Sequence, residues 1–359
     1  MSRYEYILSG YRWQWFIGQH LLANLSRHGY SPVVLMRRIS EFPMLCQRVT
    51  ELGGNARMLS AVQGDLSQPG LGLDAAAQRQ VEGCTTLFHL GVQFAWGLSP
   101  AQARMVNVEG ALRVARLVLR NDARLLMVGG YMLCNAQHLA RVGVRVRQPE
   151  LTDWPAVYRR VGGYEGSKLE AHYRVHAEMS LGGGALTVVH PATLCGHTQT
   201  GHMLPGQPFA ELARQLSERR LRAIPGSSQH WLPLISVDFL VELIRLAAFD
   251  PQMIGQSLLA LDARTPNLHG LVQALAQVLQ VRPPQRHVPM AVLKALLALP
   301  GLPNLLQVEP ESLDFIQRER FDLSQTNAFL QRHKRDWPAI EQAIGASARY
   351  LKATFYAAS

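Results

Sequence analysis

Short apolar runs alternate with longer amphipathic segments through the first half of this 359-residue chain. The runs are rich in Val, Leu, Ile and aromatic residues, which is typical of buried strands, whereas the longer segments repeat apolar residues every three or four positions, as helices do. The predicted strands are residues 4–9, 32–36, 58–62, 85–90, 124–128 and 185–189. The helices predicted among them are residues 16–27, 105–120 and 164–179. This alternation favours parallel strands joined by crossover helices, a doubly wound α/β sheet.

The pattern changes after about residue 195, where Pro, Gly and Gln become frequent. Helical segments such as 209–219 and 266–279 dominate there, and strand character returns only at 231–235 and 257–261. We therefore predict a sheet domain and a smaller, mostly helical C-terminal domain, with the boundaries 1–194 plus about 230–262, and about 195–229 plus 263–359. Ligands of such sheets bind at the carboxyl ends of the strands, so a site is expected in the cleft between the halves.

Composition and charge exclude several classes of function. With 48% hydrophobic residues, the chain can bury a core and is too apolar for a disordered protein. Lysine and arginine outnumber aspartate and glutamate by 36 to 26, a formal net charge of +10. These cations are scattered, and no zinc-finger spacing or RNA-binding aromatic motif accompanies them. We therefore predict no nucleic-acid partner and interpret the basic excess as solvated surface or as contacts to an anionic ligand.

Cysteine spacing and hydropathy bear on the compartment. The four cysteines lie far apart without a C-x-x-C pair, which favours free thiols in a reducing environment. The first residues contain no charged segment followed by a long apolar run, so no signal peptide is expected. The most apolar stretch, residues 290–306, is interrupted by Lys294, Pro300 and Pro303, so no membrane span is expected. The prediction is a soluble, cytoplasmic protein.

The clearest candidate for chemistry is the sequence Tyr-Glu-Gly-Ser-Lys at residues 164–168. On a helix, Tyr164 and Lys168 are four positions apart and share one face. A neighbouring ammonium lowers the pKa of a phenol, which suits Tyr164 for acid–base work near neutral pH. Ten tyrosines and four lysines give only about 0.1 such pairs by chance, so a coincidental pair of surface residues is the weaker interpretation.

Together with this pair, several further segments resemble the extended short-chain dehydrogenase/reductase superfamily, the NAD(P)-dependent epimerase/dehydratase-like group, in the family's order along nearly the whole chain. They are Gly-Asp-Leu at 64–66, Leu-Phe-His-Leu-Gly at 87–91, Val-Asn-Val-Glu-Gly at 106–110, Val-His-Pro-Ala at 189–192 with Gly196, Ile-Ser-Val-Asp at 235–238 and Phe-Asp-Leu-Ser at 321–324. The resemblance implies that the sheet domain is a Rossmann-type dinucleotide-binding domain and that the helical domain binds the substrate.

The resemblance also implies roles for individual residues. Tyr164 would exchange the proton, Lys168 would lower the pKa of Tyr164 and hold the nicotinamide ribose, and Asn107 would support a proton relay. The residues implied to contact the cofactor are Gly10, Arg12, Phe16, Ile17, Gly18, Arg37, Arg38, Asp65, Leu66, Leu90, Gly91, Lys168 and Pro191. Arg37 and Arg38 follow the second strand, where basic residues favour the 2′-phosphate, so NADP(H) is the expected cofactor. An ordinary polar exit from the strand is the alternative.

Two motifs depart from the family pattern. The turn after the first strand reads TGxxGxxG in the family, but here Gly10 and Gly18 are eight positions apart instead of six, and Trp15 occupies the middle glycine position. Glycine there lets the backbone approach a pyrophosphate at a helix N-terminus. Either a rerouted turn keeps a modified site, to which Arg12 adds a cation, or dinucleotide binding has been lost. In the second motif, Gly130 stands where the family has its catalytic Ser or Thr.

Three weaker features remain. Tyr131 or a water molecule would have to replace the hydroxyl that is missing at Gly130. The arginine that the family has at the end of the sixth strand is His190 here, which we interpret as a satisfied strand-end residue. Cys195, His197 and His202 are close in sequence, but nothing completes a tetrahedral ligand set, so we predict no metal site.

Two classes of function remain open. The first is an NADP(H)-dependent oxidoreductase acting on a carbonyl or secondary alcohol of a small molecule, with sugar-nucleotide epimerase or dehydratase chemistry as a variant. The second is a family member without redox activity, either a binding or regulatory protein or a non-redox acid–base catalyst. The Tyr164, Lys168 and Asn107 set favours an enzyme. The family's dimers use helices equivalent to 105–120 and 164–179, so a homodimer is compatible with this sequence.

Overall fold

The computed structural model describes residues 4–8, 14–90, 99–299 and 310–357. Its strands are β1 (Tyr4–Leu8), β2 (Ser31–Met36), β3 (Ser60–Gln63), β4 (Cys84–His89), β5 (Arg124–Val128), β6 (Ala185–Pro191), β7 (Thr193–Cys195), β8 (Ile224–Pro225), β9 (Leu234–Ser236), β10 (Ser257–Ala260) and β11 (His287–Val288). The main sheet has the order β10-β6-β5-β4-β1-β2-β3, and the neighbours among β1 to β6 pair in parallel. The predicted parallel α/β fold is confirmed.

The helices are α1 (Gln14–Arg27), α2 (Phe42–Glu51), α3 (Ala75–Glu82), α4 (Pro100–Ala103), α5 (Glu109–Arg120), α6 (Ala136–Val142), α7 (Trp154–Leu181), α8 (Pro208–Ser217), α9 (Val237–Phe249), α10 (Leu268–Leu279), α11 (Met290–Leu297), α12 (Ser324–Arg332) and α13 (Ile340–Ala357). Helices α2, α3 and α6 have no counterpart among the predicted segments. They are only seven to ten residues long and bury two or three residues each, so their apolar period is short.

Helix α5 is fixed against the sheet by a common apolar core that also includes α3 and α7. Val114, Ala115 and Val118 of α5 are fully buried in it, and burying a valine side chain contributes about 1.5–3 kcal/mol. Gly110 allows a close approach at the start of the helix, because a Cβ there would lie 3.2 Å from Cβ of Leu66. This packing holds the segment that precedes α5 against the sheet.

Helix α7 is interrupted at Gly162, whose φ of 77° and ψ of 178° are not helical. A glycine adopts this positive φ without the steric cost that a side chain would bring. The chain continues as helix after the kink, so Tyr164 lies in the first turn of the second segment. Gly166 faces the ring of Tyr158 from the first segment, where a Cβ would lie 2.7 Å from a ring carbon. The periodic pattern of residues 164–179 gave no sign that a helical segment also precedes the kink.

By its internal contacts the chain divides into two compact units, Met1–His190 with Val241–Leu259, and Pro191–Leu240 with Ala260–Ser359. The first unit contains β1 to β5 and α1 to α7. In the second unit, β7 pairs with β9, β8 pairs with β11, and α10 packs against α8 and α13. Among the described residues, every helix is either too short or too polar to span a lipid bilayer.

Candidate active site

The predicted pair on α7 is formed in the structure. Nζ of Lys168 lies 3.5 Å from the hydroxyl of Tyr164 and donates a 2.7 Å hydrogen bond to the carbonyl of Gly129, directly after β5. The ammonium also lies 5.5 Å from the centroid of the Tyr164 ring. A strand end and a helix therefore position Lys168 from two sides. The phenol is held beside a cation, which is the arrangement that proton exchange by Tyr164 needs.

Burial of Lys168 lowers the pKa of its ammonium to about 8, and the nearby carboxylate of Glu165 opposes this shift. Glu165 is itself engaged by Nε2 of the buried His138 on α6. Desolvation disfavours the charged form of the lysine, which brings its proton exchange close to neutral pH. The site therefore holds an ammonium that can both give and regain a proton.

Asn107 stabilises the turn that carries Tyr164. It lies in a single π-helical turn, Arg104–Val108, between α4 and α5, and is almost fully buried. Its amide donates a 2.8 Å hydrogen bond to the hydroxyl of Ser167, which donates in turn to the carbonyl of Tyr164 at 2.8 Å. Such π turns often occur at functional sites. Ser167 was not among the predicted site residues, although it lies inside the Tyr-Glu-Gly-Ser-Lys sequence.

The two glycines after β5 differ in what they tolerate. A Cβ on Gly129 would lie 2.5 Å from Nδ1 of His190, so a side chain does not fit there. Gly130 has an extended backbone with φ of −163°, and a Cβ there would lie 3.5 Å from Nζ of Lys168, an ordinary contact. Position 130 therefore has room for the serine or threonine that the family pattern predicts, and the site lacks that hydroxyl.

His190 is not the satisfied strand-end residue that the sequence suggested. It hydrogen-bonds the backbone of Gly130, but its Nδ1 is buried and has no hydrogen-bond partner among the described residues. Desolvation, with Lys168 as the next contribution, lowers its pKa to about 3. The imidazole is therefore neutral at physiological pH.

Several predicted cofactor contacts cannot be placed, because Gly10, Arg12 and Gly91 lie outside the described residues. Trp15 is the second residue of α1, and only its backbone is described. These positions include most of the altered glycine turn. Whether that turn accepts a pyrophosphate stays a prediction.

Other predicted contacts lie in the described part of α1 and at the end of β4. Phe16 is fully buried and packs edge-on against His20 with ring centroids 5.1 Å apart. A Cβ on Gly18 would lie 3.9 Å from Cδ1 of the buried Leu90, while Ile17 is partly exposed. Phe16 therefore serves the packing of α1, and Gly18 brings the helix close to the chain after β4.

The positions after β2 and β3 have partners of their own. Arg38 forms an exposed ion pair with Glu41 at 2.5 Å, and Arg37 is also exposed. Asp65 accepts two 2.8 Å hydrogen bonds from Ser67. The side chain of Leu66 packs in the sheet core, and its backbone carbonyl accepts a 2.9 Å hydrogen bond from Arg113. Pro191 is the buried last residue of β6.

The described residues fit a dinucleotide. The order β2-β1-β4 places a topological switch point between β1 and β4, where nucleotides bind in open α/β sheets. His89, the last residue of β4, is almost fully buried, and neither of its ring nitrogens has a hydrogen-bond partner among the described residues. A polar ligand at this edge would satisfy nitrogens that are otherwise costly to bury.

Comparison with family models adds a decisive observation. Residues 16–244 match the NAD-binding family described as male sterility protein. The match covers more than half of the chain. The chain belongs to this family. The resemblance to extended short-chain dehydrogenases/reductases that the sequence motifs suggested is therefore confirmed. No curated protein matches the sequence.

Solved structures with a similar fold include reductases and an epimerase. The terminal R domain of the myxalamid PKS-NRPS pathway has a TM-score of 0.75 at 19% identity, covering 100% of this chain and 92% of that one. Gre2 from Candida albicans in complex with NADPH has a TM-score of 0.67 at 14% identity, with coverages of 97% and 98%. UDP-glucuronic acid 4-epimerase from Bacillus cereus in complex with NAD has a TM-score of 0.66 at 14% identity, covering 98% of this chain and 98% of that one.

Proposed function

We propose that the protein is an NADP(H)-dependent oxidoreductase that interconverts a carbonyl and a secondary alcohol on a small molecule. The observation that carries the proposal is the 3.5 Å contact between the hydroxyl of Tyr164 and Nζ of Lys168, with Nζ held by the carbonyl of Gly129. Membership of an NAD-binding family supports it. Fold relatives have been solved with NADPH and with NAD, so the fold does not choose between the two.

The proposed chemistry needs one proton for each carbonyl reduced. A bound NADP(H) supplies the hydride. Tyr164 gives its phenolic proton to the carbonyl oxygen, and the adjacent ammonium of Lys168 stabilises the phenolate that remains. Asn107 and Ser167 hold the backbone of the Tyr164 turn during this exchange. Arg37, as a cation at the end of β2, would bind the 2′-phosphate.

Titration of the purified protein with NADPH and NADH, followed by calorimetry or tryptophan emission, tests the cofactor. We expect saturable NADPH binding in the low micromolar range and weaker NADH binding. Arg37→Gln should raise the NADPH Kd about 10-fold to 100-fold, as loss of a charged hydrogen bond does, and leave the NADH Kd unchanged. The matched control is Arg48→Gln, an exposed arginine on α2 paired with Glu51 at 2.8 Å. Tighter binding of NADH would contradict the cofactor choice, and no saturable binding of either dinucleotide would overturn the redox proposal.

Restoring the hydroxyl at position 130 should increase activity. Gly130→Ser fits both the extended backbone and the space beside Lys168. One positioned donor at a reacting oxygen contributes about 10²–10³-fold, so a serine that achieves part of this geometry should raise kcat by about tenfold. Gly130→Ala fills the same space without a donor and is the control. Equal rates for the serine and alanine variants would show that the reaction does not use a donor at this position.

A further inference from the structure

The face of α7 that carries the active-site pair continues beyond it. Tyr164, Lys168, His172 and His176 follow one another at intervals of four residues, which aligns them along one side of the helix. His190, at the end of β6, packs against this line from the sheet. We call His190, His172 and His176 the histidine row. The reaction proposed above assigns no role to any of the three.

The three rings of the histidine row are in contact. The ring centroids of His172 and His190 are 5.4 Å apart, and those of His172 and His176 are 4.6 Å apart. At these separations, one water molecule can bridge the nitrogens of neighbouring rings. Nδ1 of His172 and Nδ1 of His190 are both buried and lack a partner among the described residues. His172 and His176 as whole side chains are partly exposed, so the row leads from the buried strand end towards solvent.

The row begins at the two glycines that also contact Lys168. His190 hydrogen-bonds the backbone of Gly130 and contacts Gly129, whose carbonyl accepts the hydrogen bond from Lys168. His190 faces two titratable groups, Lys168 and His176. His172 faces His190 and His176. Tyr173, the next residue along α7, faces Cys134. The carboxylate of Glu165 raises the pKa of Lys168 and is hydrogen-bonded to the ring of His138.

All three imidazoles are held neutral. Desolvation lowers the pKa of His172 well below its ordinary value and also lowers that of His176. A neutral imidazole has one N–H donor and one bare nitrogen, so it can accept a proton on one side while releasing another from the opposite side. Among the described residues, no group of three or more His, Cys, Asp or Glu side chains is arranged to hold a metal ion. Proton transfer is therefore the chemistry that this arrangement favours.

We propose that the histidine row conducts protons between solvent and Lys168, with His176 at the solvent end and His190 at the lysine end. The inference rests on the oxidoreductase function proposed above. In each reductive turnover Tyr164 loses one proton to the substrate oxygen and regains one from the Lys168 ammonium. The lysine, then neutral, regains its proton through His190, His172 and His176 from one hydronium or buffer acid. One proton enters for each alcohol formed, and the electrons come only from the reduced nicotinamide.

Turnover of His172→Leu and His176→Ala tests the row, with saturating NADPH and an aldehyde or ketone that the parent protein reduces. We expect kcat to fall by about 10-fold to 100-fold, the lower end of the effect of positioned proton transfer, while both KM values stay within about twofold. The solvent deuterium isotope effect on kcat should rise. Added imidazole should restore His176→Ala saturably, because it replaces a proton carrier next to solvent.

His28→Ala, which removes an exposed imidazole at the end of α1, is the matched control and should respond to none of these conditions. Loss of kcat without rescue by imidazole in His176→Ala would show a structural role and overturn the relay. Unchanged kcat and isotope effect in both variants would also overturn it. A parent protein that binds NADPH but reduces no carbonyl would instead contradict the proposed function.

Nitrogen NMR of the cofactor-free protein, labelled at histidine, decides the row independently of turnover. His190 should remain neutral from about pH 8 to about pH 5. His172 should titrate well below the ordinary histidine pKa of about 6.5. Lys168→Met should shift the His190 ring signals, because it removes the charge at the lysine end. Titration of His172 or His190 near the ordinary value, or ring signals of His190 that ignore the lysine substitution, would overturn the relay.

Discussion

Tyr164→Phe is expected to lower kcat by about 10²–10⁴-fold while the NADPH Kd changes by less than about twofold. The substitution removes only the hydroxyl that lies 3.5 Å from Nζ of Lys168. The ring that the ammonium approaches at 5.5 Å remains, and so does the backbone carbonyl that Ser167 binds. Rapid-mixing measurement of NADPH oxidation, beside calorimetric binding, separates the loss of proton transfer from a loss of cofactor affinity.

Tyr30→Phe provides the matched control for this substitution. Tyr30 stacks on Phe249 with ring centroids 4.3 Å apart in the same unit, and its hydroxyl has no part in the proposed reaction. The Tyr30→Phe variant should be as active as the parent protein. Retained turnover in Tyr164→Phe would remove this tyrosine from its proposed role. Weakened NADPH binding in the same variant would indicate that the phenol positions the cofactor.

The parts of the site that could be predicted are those that depend on local periodicity. Four-residue spacing on a helix determines that Tyr164 and Lys168 share a face, whatever the rest of the chain does. Strand runs such as that of β5 are recognisable because a parallel strand buried on both faces is almost continuously apolar. The helix predicted at 105–120 was correct in kind, but its first residues form the π turn that carries Asn107, and a single inserted residue leaves little trace in the apolar period.

The parts that could not be predicted depend on contacts between distant segments. The interpretation of His190 as a satisfied residue failed because its neighbours come from α7 and from the glycines after β5. Ser167 gains its role from Asn107, sixty positions earlier in the chain. The short strand β9 lies at residues 234–236 instead of 231–235, because Trp231 pairs in isolated bridges with Asn267 and Gln317. No periodic pattern within one segment reports such pairings.

The cofactor positions illustrate a third difficulty. A family motif assigns Phe16 and Leu66 to the cofactor by their place in the sequence, yet both side chains are buried in the packing of the fold. Motifs mark positions that are constrained, and burial against the sheet constrains a position as strongly as a ligand does. Arg37 and Arg38 are assigned by charge and place alone, so only binding measurements can decide their role.

Lys168→Met should reduce kcat at least as much as Tyr164→Phe and should also weaken NADPH binding, since it removes the cation that serves both. In the parent protein, kcat for carbonyl reduction should fall as pH rises through about 8, where the ammonium loses its proton. Lys168→Arg should move this fall in kcat to higher pH, because a guanidinium stays charged.

The pKa of Lys168 in the folded protein lies below the unfolded value of about 10.4. Burying the ammonium therefore costs stability below about pH 8, and this cost disappears as pH rises towards 10.4. Thermal melts at pH 7 should therefore show Lys168→Met to be at least as stable as the parent. A large loss of stability would mean that the lysine serves the fold, whereas loss of activity with intact stability would assign it to the reaction.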